Sequence, residues 1–215
     1  MCQSYELKMT RKALLRHCRA AEIHPLAMHQ GETMQPGAPV LMLASALNGW
    51  SSSLVRWGLV GHFLAAEPPC PPLTLCGEGL VAKPFYSKIL QRKRCLIPAT
   101  AFFASQMLAG GGKRLVRLSQ AGGKPMMFAG IFDLHPLVGP SCAIVTRQAD
   151  TALGLVPDRI PVILDEVESG FWLGDYAEFP EDEFEALLAG GSSPALNAEA
   201  MPEPEISPQL AFAFA

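Results

Sequence analysis

No stretch of this chain is apolar for 18 residues, so nothing in it reads as a membrane-spanning helix. A secretory leader is missing as well. Lys8, Arg11, Lys12, Arg16 and Arg19 interrupt the opening residues, and cytoplasm is the expected compartment. The spacing C-x-x-C does not occur. Six cysteines (Cys2, Cys18, Cys70, Cys76, Cys95, Cys142) are scattered, which predicts free thiols rather than a disulfide framework. Five histidines lack paired ligand spacing, so neither a zinc site nor any cofactor is expected. The Gly-rich run at 109–113 lacks the phosphate-loop spacing and reads as a hairpin turn. Basic residues all but vanish from the end of the chain. Residues 158–215 carry 1 Lys/Arg against 13 Asp/Glu, a net −12, whereas residues 1–157 carry 16 against 7, a net +9.

What is present bounds the rest. A chain of 215 residues with 49% hydrophobic content fits a single domain with a sizeable core. Two dense basic clusters, RKALLRHCR (11–19) and KILQRKR (88–94), predict a phosphate-binding surface. One such cluster is ordinarily a solvated helix face; the segregation of charge along the whole chain argues against that reading for both.

The apolar pattern predicts a helix over 8–23 with Thr10 as its cap. Strands are expected at 40–47 and from 52, then at 94–105, 125–134 and 141–149. A short helix is expected after Pro84, another at the end of 161–173, and one at 180–190 with acids in its first turn. EPPCPPL (67–73) cannot be helix or central strand. Many short strands with few helices predict an α+β fold, a curled, barrel-like mixed sheet flanked by short helices. Residues 1–190 form the domain and 191–215 an extended tail.

Cys2 raises a chemical question. Once Met1 is removed, an N-terminal cysteine carries an α-amine (pKa about 8) and a thiol (about 8.5) on adjacent carbons. The amine condenses with an aldehyde and the thiol closes onto the imine, giving a thiazolidine ring. Position alone does not distinguish this from an accidental cysteine.

Four segments in register decide it. Glu78, Ala82-Lys83-Pro84 and Arg94-Cys95-Leu96-Ile97-Pro98-Ala99 resemble the N-A-R-x-E…KP…RCLIPADGFYEW block of the SOS-response-associated peptidase family. Arg56-Trp57-Gly58-Leu59 is similar to its RWGL segment, Phe128-Ala129-Gly130-Ile131-Phe132-Asp133 to its FAGLWE strand, and Asp158-Arg159-Ile160-Pro161-Val162-Ile163-Leu164 to the end of its IHxRMPVIL motif. The resemblance runs from Cys2 to about residue 174. It implies a barrel-like α+β fold, a basic channel for single-stranded DNA containing abasic sites, and Cys2 as the nucleophile that crosslinks to the abasic aldehyde. A phage-related, catalytically inactive member is the alternative expectation.

The chain departs from that pattern where catalysis is concerned. The family's asparagine falls on Thr74, its arginine on Cys76, its second glutamate on Ala104, its histidine on Pro157, and the Gly-Arg after the nucleophile on Gln3-Ser4. Of the catalytic set Cys2 and Glu78 remain, with Thr74 able to donate one hydrogen bond. A positioned acid or base contributes about 10²–10⁴-fold, so weakened catalysis is expected. DNA-facing candidates are Pro36, Phe63, Lys83, Lys88, Arg92, Arg94, Thr146 and Arg159, with Trp57 assigned to the core and His62 as a stand-in for the missing histidine. Three readings follow: an active abasic-site crosslinker, a degenerate DNA- or partner-binding module, and a thiol peptidase. The third is weakest, since no histidine has a recognisable place beside Cys2. The ending Gln209-Leu210-Ala211-Phe212-Ala213-Phe214 looks like a short peptide for docking on the sliding clamp, carried on an acidic tether, although its period of two also fits a half-buried strand.

Overall fold

A computed structural model describes residues 4–18, 23, 33–47, 49–108, 111–149, 158–190 and 194–202. Two sheets carry the fold. The larger contains β3 (Pro39–Ala46), β4 (Gly49–Trp57), β5 (Thr74–Cys76), β6 (Arg94–Ala99), β9 (Met126–His135), β10 (Gly139–Gln148), β11 (Arg159–Pro161) and β12 (Ile163–Leu164). Its strands run β10-β4-β3-β6-β9, and β9 pairs again with β10, so five strands close into a barrel. The sheet is mixed: β10 lies parallel to β4 and β5 and antiparallel to β9 and β11. The smaller sheet has the order β13-β8-β7-β1-β2, from β1 (Ser4–Glu6), β2 (Thr33–Met34), β7 (Ala101–Met107), β8 (Lys113–Gln120) and β13 (Leu196–Ala200). Four short helices accompany them: α1 (Arg11–His17), α2 (Pro84–Arg92), α3 (Glu166–Trp172) and α4 (Glu181–Gly190). The expected α+β barrel-like domain is what forms.

Of the barrel strands, β3, β6, β9 and β10 are buried on both faces over most of their length, which is why they read as nearly continuous apolar runs, while β4 is buried only near its end. In β6, Cys95, Ile97 and Ala99 join a cluster with Tyr5, Trp57 and Phe102 between the two sheets, while Leu96 faces the opposite cluster. That opposite cluster packs Leu14 of α1, Leu90 of α2, Trp172 of α3, and Phe184 and Leu188 of α4 onto the barrel. Trp57 is fully buried, as expected.

Three local expectations change. The stretch 94–105 is two strands in different sheets rather than one. The chain switches sheets at Thr100, whose N–H and hydroxyl both donate to the Glu6 carbonyl (2.7 and 3.2 Å) while its Oγ1 accepts from Lys8 N (3.0 Å). The first helix is shorter than 8–23. Thr10 does cap it, accepting from Ala13 N at 3.2 Å, but the backbone turns extended at Cys18. Finally, the described part of the 191–215 stretch is not a free tether, since β13 pairs with β8 over five residues. The Gln209–Phe214 peptide lies outside the described residues.

β1 is anchored firmly for a strand so close to the N-terminus. It sits between β2 and β7, and Tyr5 packs edge-on to Trp57 and Phe128 at 5.3 and 6.1 Å. Glu6 is buried, and its carboxylate accepts from Lys8 and from Arg117 of β8, each at 3.0 Å.

Candidate active site and nucleic-acid interface

The residues matching the family pattern meet where β5 ends against β10. Thr74 pairs with Ile144 and Cys76 with Thr146, and the chain then turns through Gly77, whose N–H donates to the Thr146 carbonyl at 2.8 Å. Gly77 makes a close approach: a Cβ there would lie 3.2 Å from both Val145 Cγ1 and Leu188 Cβ, so these neighbours would have to give way. Gly79 completes the turn at φ +65. The result is a fixed Glu78. One carboxylate oxygen accepts from Gln148 N at 2.8 Å and the other from Arg159 Nη2 at 2.5 Å. Burial alone would raise the Glu78 carboxyl. The hydrogen bonds from Arg159 and from backbone N–H groups, together with the guanidinium charge, outweigh it and hold the group below the usual carboxylate range.

Arg159 is itself oriented by Thr146. Its Nε donates to Thr146 Oγ1 (3.2 Å) and its Nη2 to the Thr146 carbonyl (2.7 Å), and Thr146 Oγ1 donates to the Leu75 carbonyl (3.1 Å). Thr146 is 1% exposed. The hydroxyl of Thr146, a DNA-facing candidate, is engaged here by the Leu75 carbonyl and the Arg159 guanidinium. Thr74 is half-buried and Cys76 exposed on the same strand as the approach to Glu78. Ala104 is enclosed in the apolar cluster with Val116 and Leu118, so no acid or base stands there. Cys2 and Pro157 lie outside the described residues, and β1 begins two residues after Cys2.

A second group lies along α2. Pro84 opens the helix, with Lys83 at its N-cap. Lys83, Lys88 and Arg92 are exposed, as is Pro36, whose loop is held by the bond from Gly37 N to the Trp57 carbonyl (2.8 Å). Phe63 is 51% exposed and edge-on to Phe85, with ring centroids 4.1 Å apart. A cleft of about 410 Å³ opens there, lined by His62, Phe63, Phe85, Lys88, Ile89 and Lys93. Asp133, with a fully buried side chain, holds two of these residues: it accepts from Lys93 Nζ (2.5 Å), His62 N (2.9 Å) and His62 Nδ1 (2.7 Å), and from Leu134 N (2.8 Å). Burial opposes the charge, but Lys93 and the His62 donors win and bring the Asp133 carboxyl down to about 2. Sequence reasoning singles out His62 and the strand holding Asp133 but not their contact. The available signal is an acid inside an apolar strand of a half-chain that has few acids.

Arg94 turns inward. Expected as a phosphate ligand, it is 7% exposed and its donors are consumed internally. Nε donates to the Trp172 carbonyl (2.5 Å), Nη1 to those of Leu90 (2.5 Å) and Gln91 (2.6 Å), and Nη2 to that of Gly174. The guanidinium also lies over Phe184, Phe179 and Tyr176 at 5.1, 5.6 and 5.7 Å.

Among the described residues no helix is long and apolar enough to cross a membrane, and no three His, Cys, Asp or Glu side chains are placed to hold a metal ion.

Solved structures share this closed barrel. A crystal structure of a protein from Bacteroides thetaiotaomicron superimposes with a TM-score of 0.76 at 17% identity, covering 94% of this chain and 92% of that one. A phage-related protein from Bordetella bronchiseptica gives 0.68 at 18% identity over 94% and 95%. The sequence model of one family, SOS response associated peptidase (SRAP), matches residues 1–203, and the chain belongs to that family. Relatives include the abasic site processing protein YobE of Bacillus subtilis (strain 168), 27% identical over 74% of this chain and 75% of that protein. The abasic site processing protein YoqW of Bacillus phage SPbeta is 26% identical over 74% and 73%.

Proposed function

We propose that this protein acts in DNA-damage processing by binding single-stranded DNA and joining to abasic sites through Cys2 after removal of Met1. The reaction needs no oxidant. The Cys2 amine adds to the abasic aldehyde and expels water as an imine, and the thiol adds across that imine to close a thiazolidine. The observation that carries this reading is the Glu78–Arg159 pair. A carboxylate held ionised beside a guanidinium, at the strand end where the family pattern puts its glutamate, offers a proton acceptor and a fixed cation to a sugar-phosphate backbone. Exposed Lys83, Lys88 and Arg92 with Phe63 supply phosphate contacts and a stacking surface.

Catalysis in this chain is weakened. Ala104 has no titratable atom, and Thr74 offers a shorter donor than asparagine. These two positions also favour a second reading, a family member that binds abasic DNA without efficient crosslinking.

The test incubates Met1-free protein with single-stranded DNA carrying one abasic site and looks for a species that survives denaturation. Slow accumulation of that species, abolished in Cys2→Ala and not in Cys76→Ala, supports the crosslinking reading. Tight binding with no denaturation-resistant species selects the binding-only reading. Undiminished crosslinking by Cys2→Ala overturns the assignment of Cys2.

A further inference from the structure

Away from the Glu78–Arg159 pair, a second cluster holds an exposed imidazole in a fixed position. Asp133 presents two oxygens to four donors from three places in the chain: the His62 backbone and ring, Lys93 just past α2, and Leu134 N on β9 itself. This fixes the ring of His62. Because Nδ1 faces a carboxylate at 2.7 Å, Nδ1 is the nitrogen that donates, and in the neutral ring Nε2 keeps its lone pair. His62 Nε2 has no protein partner among the described residues, and the side chain is 56% exposed. The ring stands perpendicular to Phe63 with centroids 5.7 Å apart, at the rim of the cleft that Phe63 and Phe85 wall.

We propose that His62, positioned by Asp133, is a base-reading residue: its Nε2 accepts a hydrogen bond from the exocyclic amine of an unpaired adenine or cytosine seated at this cleft. This rests on the reading of the chain as a single-stranded-DNA binder. The chemistry selects the ligand. Aromatic walls suit a planar ring of any kind, and the ammonium of Lys88 suits a phosphate, so neither discriminates between bases. A lone acceptor on a fixed ring does. Adenine and cytosine carry an amine at the edge where thymine carries a carbonyl oxygen, which would meet Nε2 lone pair against lone pair. Asp133 is the positioning residue. Without its charge the imidazole is free to turn or to move its proton to Nε2, converting the acceptor into a donor.

The experiment measures binding of the full chain to fluorescent oligo(dA), oligo(dC) and oligo(dT) of equal length, at neutral pH, for wild type, His62→Ala and Asp133→Asn. One directional hydrogen bond corresponds to roughly two- to tenfold in affinity. The affinities of oligo(dA) and oligo(dC) relative to oligo(dT) should therefore fall by that factor in His62→Ala, with oligo(dT) binding little changed. Nitrogen-15 spectra of the wild-type imidazole should show a protonated Nδ1 and a bare Nε2. Asp133→Asn should mix the tautomers, and this is readable even if that variant is less stable. An equal loss for all three oligonucleotides in His62→Ala, no loss at all, or a wild-type ring protonated at Nε2 overturns the proposal alone. Absence of binding to any oligonucleotide by the wild type overturns the DNA-binding reading and the proposal with it.

Discussion

Replacing Arg94 with methionine separates a structural cation from a DNA ligand. The side chain is 7% exposed and gives four hydrogen bonds to carbonyls, two in the last turn of α2, one at the last residue of α3 and one at Gly174 just beyond. Those are carbonyls that a helix end leaves without intrahelical partners, and a cation there also faces the negative end of both helix dipoles. Each bond from a charged donor is worth about 1.5–3 kcal/mol. The four do not simply add, because burying the guanidinium costs several kcal/mol, and the same burial pulls the Arg94 pKa below its ordinary value. Methionine fills much of the volume but leaves the four carbonyls bare, and removing one side of a buried charged network costs about 3–5 kcal/mol. For a domain of this size about 2–4 °C of melting temperature is lost per kcal/mol, so Arg94→Met should melt about 10 °C lower. Urea unfolding should shift its midpoint at unchanged m. Arg94→Lys should recover little, since one ammonium cannot reproduce a planar fork that reaches two helix ends. Binding of single-stranded DNA, measured below the melting transition, should stay within about twofold of wild type by the additive behaviour of distant sites. A melting temperature within about 2 °C of wild type together with a roughly tenfold loss of DNA affinity would refute the reasoning and return Arg94 to the phosphate surface.

Other consequences can be read from single groups. The folded-state pKa of Asp133, about 2, lies below its ordinary value of 3.8. The Asp133 charge therefore contributes stability above about pH 4 that is lost as pH falls toward 2. A gap of this size is worth about 2 kcal/mol, and that part of the acid dependence should be missing from Asp133→Asn in urea titrations across pH. Arg159→Ala should raise the Glu78 pKa, followed by carbon-13 shifts of its carboxyl, and should slow abasic-site crosslinking; an unmoved Glu78 titration contradicts the pairing. Of the five described cysteines, exposed Cys70 and Cys76 should react promptly with a thiol reagent in the folded protein. Cys18, Cys95 and Cys142 should not, because burial pushes the Cys18 and Cys142 thiols up to about 12 and Cys95 well above its usual value. Neutralising Lys83, Lys88 or Arg92 singly should reduce the salt slope of single-strand binding by about 0.7 each, and an unchanged slope assigns that residue to a solvated face.

By itself the sequence determined what neighbouring residues settle among themselves. Pro84 starts a helix because its missing N–H is not needed there, Thr10 caps one because its hydroxyl reaches Ala13 N, and acids at 181–183 open another. The family register was legible because Glu78, the RCLIPA strand and the DRIPVIL segment keep their order, and Ala104 was legible as a missing acid because alanine carries no titratable atom anywhere. Long-range partners were not legible. The sequence does not say that β9 returns to β10 to close a ring, or that one apolar run crosses from the barrel to the second sheet at Thr100. It places Arg94 beside Lys93 and Arg92 in one basic cluster, and only the tertiary structure separates them: Arg92 to solvent, Lys93 to Asp133, Arg94 to four inward carbonyls. Likewise Asp133 and His62 stand 71 residues apart. A charge has no side until the fold decides which dipoles surround it, because the balance between desolvation and hydrogen bonding that fixes its role is made by groups from distant parts of the chain.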